Sequence, residues 1–167
     1  MLVVEAAGIR PGDTVIDVCA APGGKALHAA DKLAGTGQVT ACDVTSHKTD
    51  RIEENARRLG VQNMSIRVQD ARIQDASFVG KADVLLVDVP CSGLGIIGRK
   101  QEINRLQREI VANVVHYVKS GGIMMYSTCT MNPAENEEMA AWICREFAME
   151  KVSMAEFLPK ILWQDIK

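Results

Sequence analysis

Short β-branched runs alternate along the chain with longer stretches whose apolar positions recur at helical spacing. "DTVIDVC" (13–19) lies between Pro11-Gly12 and Pro22-Gly23, which predicts a first strand. "KALHAADKLAG" predicts a helix closing at Gly35, and "GQVTACDV" a second strand. "KTDRIEENARRLG" is rich in helix formers and ends at Gly60, a C-cap signal. "NMSIRVQD" predicts a third strand. "ADVLLVDV" predicts a fourth, and its unbroken apolar run suits a strand buried on both faces. "EINRLQREIVANVVHYVKSGG" sets Ile103, Leu106, Ile110, Val114 and Val118 on one helical stripe ending at Gly121-Gly122. "IMMYSTC" predicts a fifth strand. A last helix, "AENEEMAAWICREFAM", starts just after Pro133, and beyond Phe147 there is room for at most one short strand. This order predicts an α/β fold with a doubly wound, mostly parallel sheet, built as one domain over residues 1–167.

In such sheets ligands sit outside the carboxyl ends of the strands. Polar or reactive residues fall on five such ends: 19–25, Asp43, Asp70, 88–93 and 127–130. Packing alone does not ask for that. Glycines in "DVCAAPGGKA" let backbone N–H groups approach a ligand, and the helix that follows favours an anionic group at its start. The spacing is not G-x-G-x-x-G, so no dinucleotide fingerprint is matched, and a plain glycine-rich turn would look the same. Asp43 stands about 20 residues after the glycines, where an acid binds ribose hydroxyls; it would equally serve as a helix cap. Asp70 is placed to accept from an adenine amino group. Together these features describe a nucleoside ligand carrying a small anionic group, and S-adenosylmethionine fits.

Composition narrows the setting. The chain has 167 residues, 47% hydrophobic and 24% charged, with a formal net charge of −2, so it lacks the basic balance of an autonomous nucleic-acid binder. Its five cysteines are odd in number and form no C-x-x-C pair, which argues against a disulfide framework or a zinc site and for reduced thiols in the cytoplasm. No metal is expected, and no run is apolar for long enough to span a bilayer. Cys91, in "DVPCSG", and Cys129, in "YSTCT", follow neighbouring strands. Either alone reads better as packing, because free cysteine is among the most buried residues. Two at adjacent ligand-side ends, one beside Asp88 and Pro90, favour chemistry. A thiol must ionise to act, and Lys25 is a candidate cation to help it. Cys42 and Cys144 read as core, and Cys19 as lining the cofactor turn through its backbone.

"DVCAAPGGK", "DVPCSGLG" and "YSTCT" resemble the Sun (Fmu) family of S-adenosylmethionine-dependent RNA cytosine-5 methyltransferases, in particular the bacterial enzymes acting on 16S ribosomal RNA. The resemblance runs from about Gly8 to Phe147 and implies a Rossmann-like class I methyltransferase core. It implies that Cys19, Ala20, Ala21, Pro22, Gly23, Gly24 and Lys25 cradle the methionine part of the cofactor. Asp43 would hold the ribose, and Asp70 would lie near the adenine. Asp88 would border the methyl group and contact the cytosine. Cys129 would be the nucleophile and Cys91 would assist product release, with an RNA substrate, no membrane or metal partner, and a monomeric enzyme. Val89 stands where the family usually has alanine, and Ala26 where it has threonine. The stretch "GIIGRKQEINRLQ" is shorter than its counterpart, and the family's N-terminal RNA-binding domain and final strand are absent, so a catalytic core truncated at both ends is expected. The rival reading is a cofactor-binding module or ribosomal-RNA assembly partner without catalysis. An adenine amino-methyltransferase or a dehydrogenase fits less well, because of Cys91 and of the glycine spacing.

Overall fold

A computed structural model describes residues 1–92, 100–154 and 157–158. The elements in chain order are α1 (Leu2–Ala6), β1 (Thr14–Asp17), α2 (Gly24–Lys32), β2 (Gln38–Asp43), α3 (Ser46–Leu59), β3 (Met64–Val68), β4 (Ala82–Asp88), α4 (Lys100–Val114), β5 (Val118–Ser127) and α5 (Glu137–Glu146). The strands form one parallel sheet in the order β3-β2-β1-β4-β5. The chain winds outward from β1 to β3, then returns to add β4 and β5 on the other side. The switch between β1 and β4 opens a crevice at the carboxyl ends.

Side-chain alternation along the strands builds two cores. Val15, Val39, Val84 and Leu86 face α1, α2 and α3, meeting Val4, Ala26, Leu33 and Ile52. Ile16, Leu85 and Val87 face the other way, toward Ile110, Val111 and Val114 of α4 and Met139 and Ile143 of α5. The unbroken apolar run in β4 follows from having a helical layer on each side. The doubly wound expectation is therefore met, including the close of α3 at Gly60. That residue takes φ +69° while the Val61 N–H donates to the Ala56 carbonyl at 3.0 Å.

The boundaries around residue 118 need correction. The helix expected to run to Gly121-Gly122 stops at Val114, passes through a 3-10 turn at Val115–Tyr117, and gives way to β5 at Val118. Val118 falls on the helical stripe by spacing, but pairing with β4 takes it. The register jumps from Ala82↔Val118 to Val84↔Ile123, a bulge that uses both glycines. Gly121 has φ +79°, and a Cβ on Gly122 would lie 2.9 Å from the Asp83 carbonyl oxygen and 3.0 Å from that of Ala82. Lys119 crosses the bulge to Asp83 at 2.7 Å, and the Thr14 N–H donates to the same carboxylate at 2.8 Å, tying the starts of three strands. The last helix also starts later than expected. A 3-10 turn at Pro133–Glu135 precedes α5, because Glu135 turns into the interior. α1 was not foreseen; five residues carry too little periodicity to announce a helix, and it forms by packing on α2. No strand appears among the described residues after Phe147.

Gly122→Ala should destabilise the fold by about 1–3 kcal/mol, because two backbone carbonyls on β4 cannot retreat from a methyl group. Urea denaturation would read this; a change below about 0.5 kcal/mol would mean that the bulge tolerates a side chain.

Candidate active site

All five strand ends converge on a cleft of about 570 Å³, walled by Cys19, Asp43, Asp70, Asp88, Cys91 and Cys129 among others. The β1–α2 turn is pinned on the β2 side. The Ala20 N–H donates to the Cys42 carbonyl at 2.9 Å and the Ala21 N–H to Asp43 Oδ2 at 3.0 Å. Gly23 caps α2 with φ +107°, a conformation that disfavours any side chain. Of the cofactor turn, Cys19 and Ala21 line the cleft. Ala20 and Gly23 are buried beneath it, and Pro22 and Gly24 lie on the outer surface.

Asp43 is 5% exposed. Besides Ala21, it accepts from the Val44 N–H at 2.8 Å and faces the Lys48 ammonium at 3.0 Å. It does not cap α3, since Thr45 holds that position. Asp70 reaches the cleft wall already engaged by Arg72, whose guanidinium donates to both carboxylate oxygens, as close as 2.6 Å. Those bonds hold the Asp70 pKa below the usual carboxylate range. Asp88 ends β4 between two donors, Lys25 Nζ at 2.6 Å and Ser127 Oγ at 2.5 Å. Lys25, considered above as a cation for a thiol, is thus spent on the acid.

Cys91 and Cys129 meet at the rim, with Cα atoms 6.0 Å apart and the Cys129 N–H donating to Cys91 Sγ at 3.2 Å. The structure brings their sulfurs into contact. Adjacent parallel strands deliver the two residues at a span that a disulfide bridges. Cys19, Cys42 and Cys144 are free. Burial pushes the Cys19 thiol far up and the Cys42 thiol up to about 12, which suits neither for nucleophilic work.

Two acids of this region escaped the sequence reading. Asp17, at the end of β1, is 1% exposed; its Oδ1 accepts from the Cys19 N–H at 3.3 Å and its Oδ2 has no partner. Burial, aided by the nearby Asp88 and Asp43 charges, pushes its pKa up to about 7. An acid inside "TVIDV" was a usable signal, because a carboxylate in an apolar strand is rarely idle. Glu135, wholly buried, gave no such signal inside an apparently amphipathic helix.

Asp17 makes stability depend on pH. Its folded value of about 7 exceeds the ordinary 3.8, so its contribution is full below pH 3.8 and is lost as pH rises toward 7. Relative to wild type, Asp17→Asn should gain up to about 4 kcal/mol between pH 4 and 8, read by denaturant melts across that range. A difference that stays constant with pH would mean that folding leaves the Asp17 pKa unshifted.

With this geometry in view, the kinship of the chain is informative. Residues 7–160 match the family described as 16S rRNA methyltransferase RsmB/F. The probable ribosomal RNA small subunit methyltransferase B of Bacillus subtilis (strain 168) is 39% identical over 152 residues, covering 83% of this chain and 34% of its own length. A tRNA (cytosine(72)-C(5))-methyltransferase of Pyrococcus horikoshii is 35% identical over 147 residues, 82% of this chain and 37% of its own. The solved structure of NSun6 from Pyrococcus horikoshii with SFG superposes with a TM-score of 0.75 at 31% identity, covering 87% of this chain and 40% of that one. The chain thus spans little more than a third of the length of the two sequence relatives. The match over residues 7–160, on a parallel sheet whose strand ends meet at this cleft, places the chain in the family described as 16S rRNA methyltransferase RsmB/F.

Proposed function

We propose that residues 1–167 are the catalytic domain of an RNA cytosine-5 methyltransferase that uses S-adenosylmethionine and acts on ribosomal RNA. The observation that carries this reading is the meeting of Cys91, Cys129 and Asp88 on one rim of a cleft whose other wall holds Asp43 and Asp70. The names of the relatives support RNA as the substrate, with both ribosomal and transfer RNA represented.

The residues present fit the cofactor. Asp17 Oδ2 is a buried acceptor without a partner, and the strand ends gather Asp17, Asp43 and Asp88 where a cationic ligand group would be favoured. When bound, S-adenosylmethionine supplies an electrophilic sulfonium methyl group. Asp43, oriented by the N–H groups of Ala21 and Val44, accepts from ribose hydroxyls. Asp70, held by Arg72, would receive the adenine end of the cofactor.

Carbon 5 of cytosine is too weak a nucleophile to take a methyl group unaided. Cys129, exposed at the rim, adds as thiolate to ring carbon 6 and pushes an electron pair toward carbon 5, making it nucleophilic enough for the methyl group that bound S-adenosylmethionine would supply. A hydrogen bond from the Asp88 side to ring N3 stabilises this adduct. It needs a proton, and Lys25 at 2.6 Å is the donor that can deliver it. Cys91 then removes the proton from carbon 5, directly or through water, and the released pair expels the Cys129 thiolate. Both roles require the reduced pair.

Under dithiothreitol, Cys129→Ala should lower methyl transfer by about 10³-fold or more. Cys91→Ala should accumulate a covalent protein–RNA adduct, seen as a slow band on a denaturing gel. Loss of transfer in Cys91→Ala, with trapping by Cys129→Ala, would reverse the two roles. Methylation of 16S rRNA and of tRNA transcripts, assayed side by side, separates the two RNA classes.

A further inference from the structure

Glu135 is a carboxylate with no exposed surface, and it lies outside the cleft. Its partners come from both cysteine loops and from the helix beneath them. Ser92, directly after Cys91, gives it two bonds, from its backbone N–H at 3.1 Å and from its hydroxyl. Asn132, three residues after Cys129, donates to it at 2.9 Å. Gln107 of α4, also fully buried, donates at 2.8 Å to Glu135 and at 2.8 Å to the carbonyl of Pro90, the residue before Cys91. The Tyr126 hydroxyl on β5 donates to the Glu135 carbonyl at 2.8 Å. Burial raises the Glu135 pKa, and the bonds from Ser92, Asn132 and Gln107 more than reverse that, leaving it lowered.

No ordinary packing need explains a carboxylate here. An apolar side chain would fill the space with no donors to satisfy, whereas an ionised one demands donors and so fixes where they stand. Of the donors it fixes, Ser92 adjoins Cys91, Gln107 holds the carbonyl just before Cys91, and Asn132 stands three residues past Cys129. We propose that Glu135 is a positioning residue, a buried latch that sets the distance between Cys91 and Cys129 by binding both of their loops at once. It touches neither sulfur. The catalytic side of this inference rests on the cysteine chemistry proposed above; the geometric side does not.

The geometric side is read without RNA. In the intact protein, oxidised glutathione takes two electrons and two protons from the thiol pair, giving the Cys91–Cys129 disulfide and two molecules of reduced glutathione. The equilibrium constant of that exchange reports how well the fold holds the sulfurs together. Glu135→Gln keeps the shape, removes the charge and turns an amide N–H₂ toward existing donors. It should lower the constant by about tenfold or more and lower single-turnover methyl transfer with it. Binding of S-adenosylhomocysteine, measured by calorimetry, should stay within about twofold of wild type. Ser92→Ala, which leaves the Gln107 and Asn132 bonds in place, should lower the constant by about threefold and serves if the first variant does not fold. A constant unchanged in whichever of these variants folds overturns the latch. Should Cys129→Ala prove active, the catalytic reading falls while the exchange measurement still decides the latch.

Discussion

Asp88 stands opposite Ser127 where β4 and β5 end, and this single rung sets the geometry of everything beyond it. Three residues past Asp88 the chain reaches Cys91; two past Ser127 it reaches Cys129. The sulfurs meet because the two strands stop level. A slip of one residue in this ladder would turn Asp88 to the other face of the sheet and carry the thiols apart. The fold guards against that in two ways. The strands alternate between two apolar cores, so a slip would also expose one of them. The bulge at Gly121 and Gly122 absorbs the extra residues at the opposite end, far from the site.

The strand ends carry more acid than base, and each carboxylate is treated differently. Asp88 and Asp70 are met by cations on neighbouring segments. Asp43 is held mainly by backbone N–H groups, with Lys48 reaching it from the surface. Asp17 has one weak backbone bond and one bare oxygen, and burial raises its pKa. Glu135 shows the opposite outcome, with burial as complete but enough donors to keep the charge. The number of donors, more than depth, decides which buried acid stays ionised.

The strands and the doubly wound fold class could be read from the sequence because β-branched runs and glycine punctuation are local signals. The two thiols could be read for the same reason, as each follows a recognisable strand. The end of α4 could not. Val118 continues a helical stripe perfectly well, and only the presence of β4 as a pairing partner makes it a strand residue. Glu135 was equally hidden, since its partners Ser92 and Gln107 lie 43 and 28 residues away. The bond between Lys25 and Asp88 spans 63 residues and redirects a cation that the sequence offered to a thiol. What was missed in each case is a long-range choice between two locally acceptable arrangements.

The turn between β1 and α2 is tied at nearly every residue. Ala20 and Ala21 are bonded to β2, the Pro22 carbonyl accepts from Asn55 on α3 at 3.0 Å, and Lys25 reaches across to β4. Its order is therefore established when the chain folds and does not have to be created when a ligand arrives. A loop prepared in this way gives up little conformational entropy on binding, so affinity at this end of the sheet is set by the contacts themselves and by the water they displace.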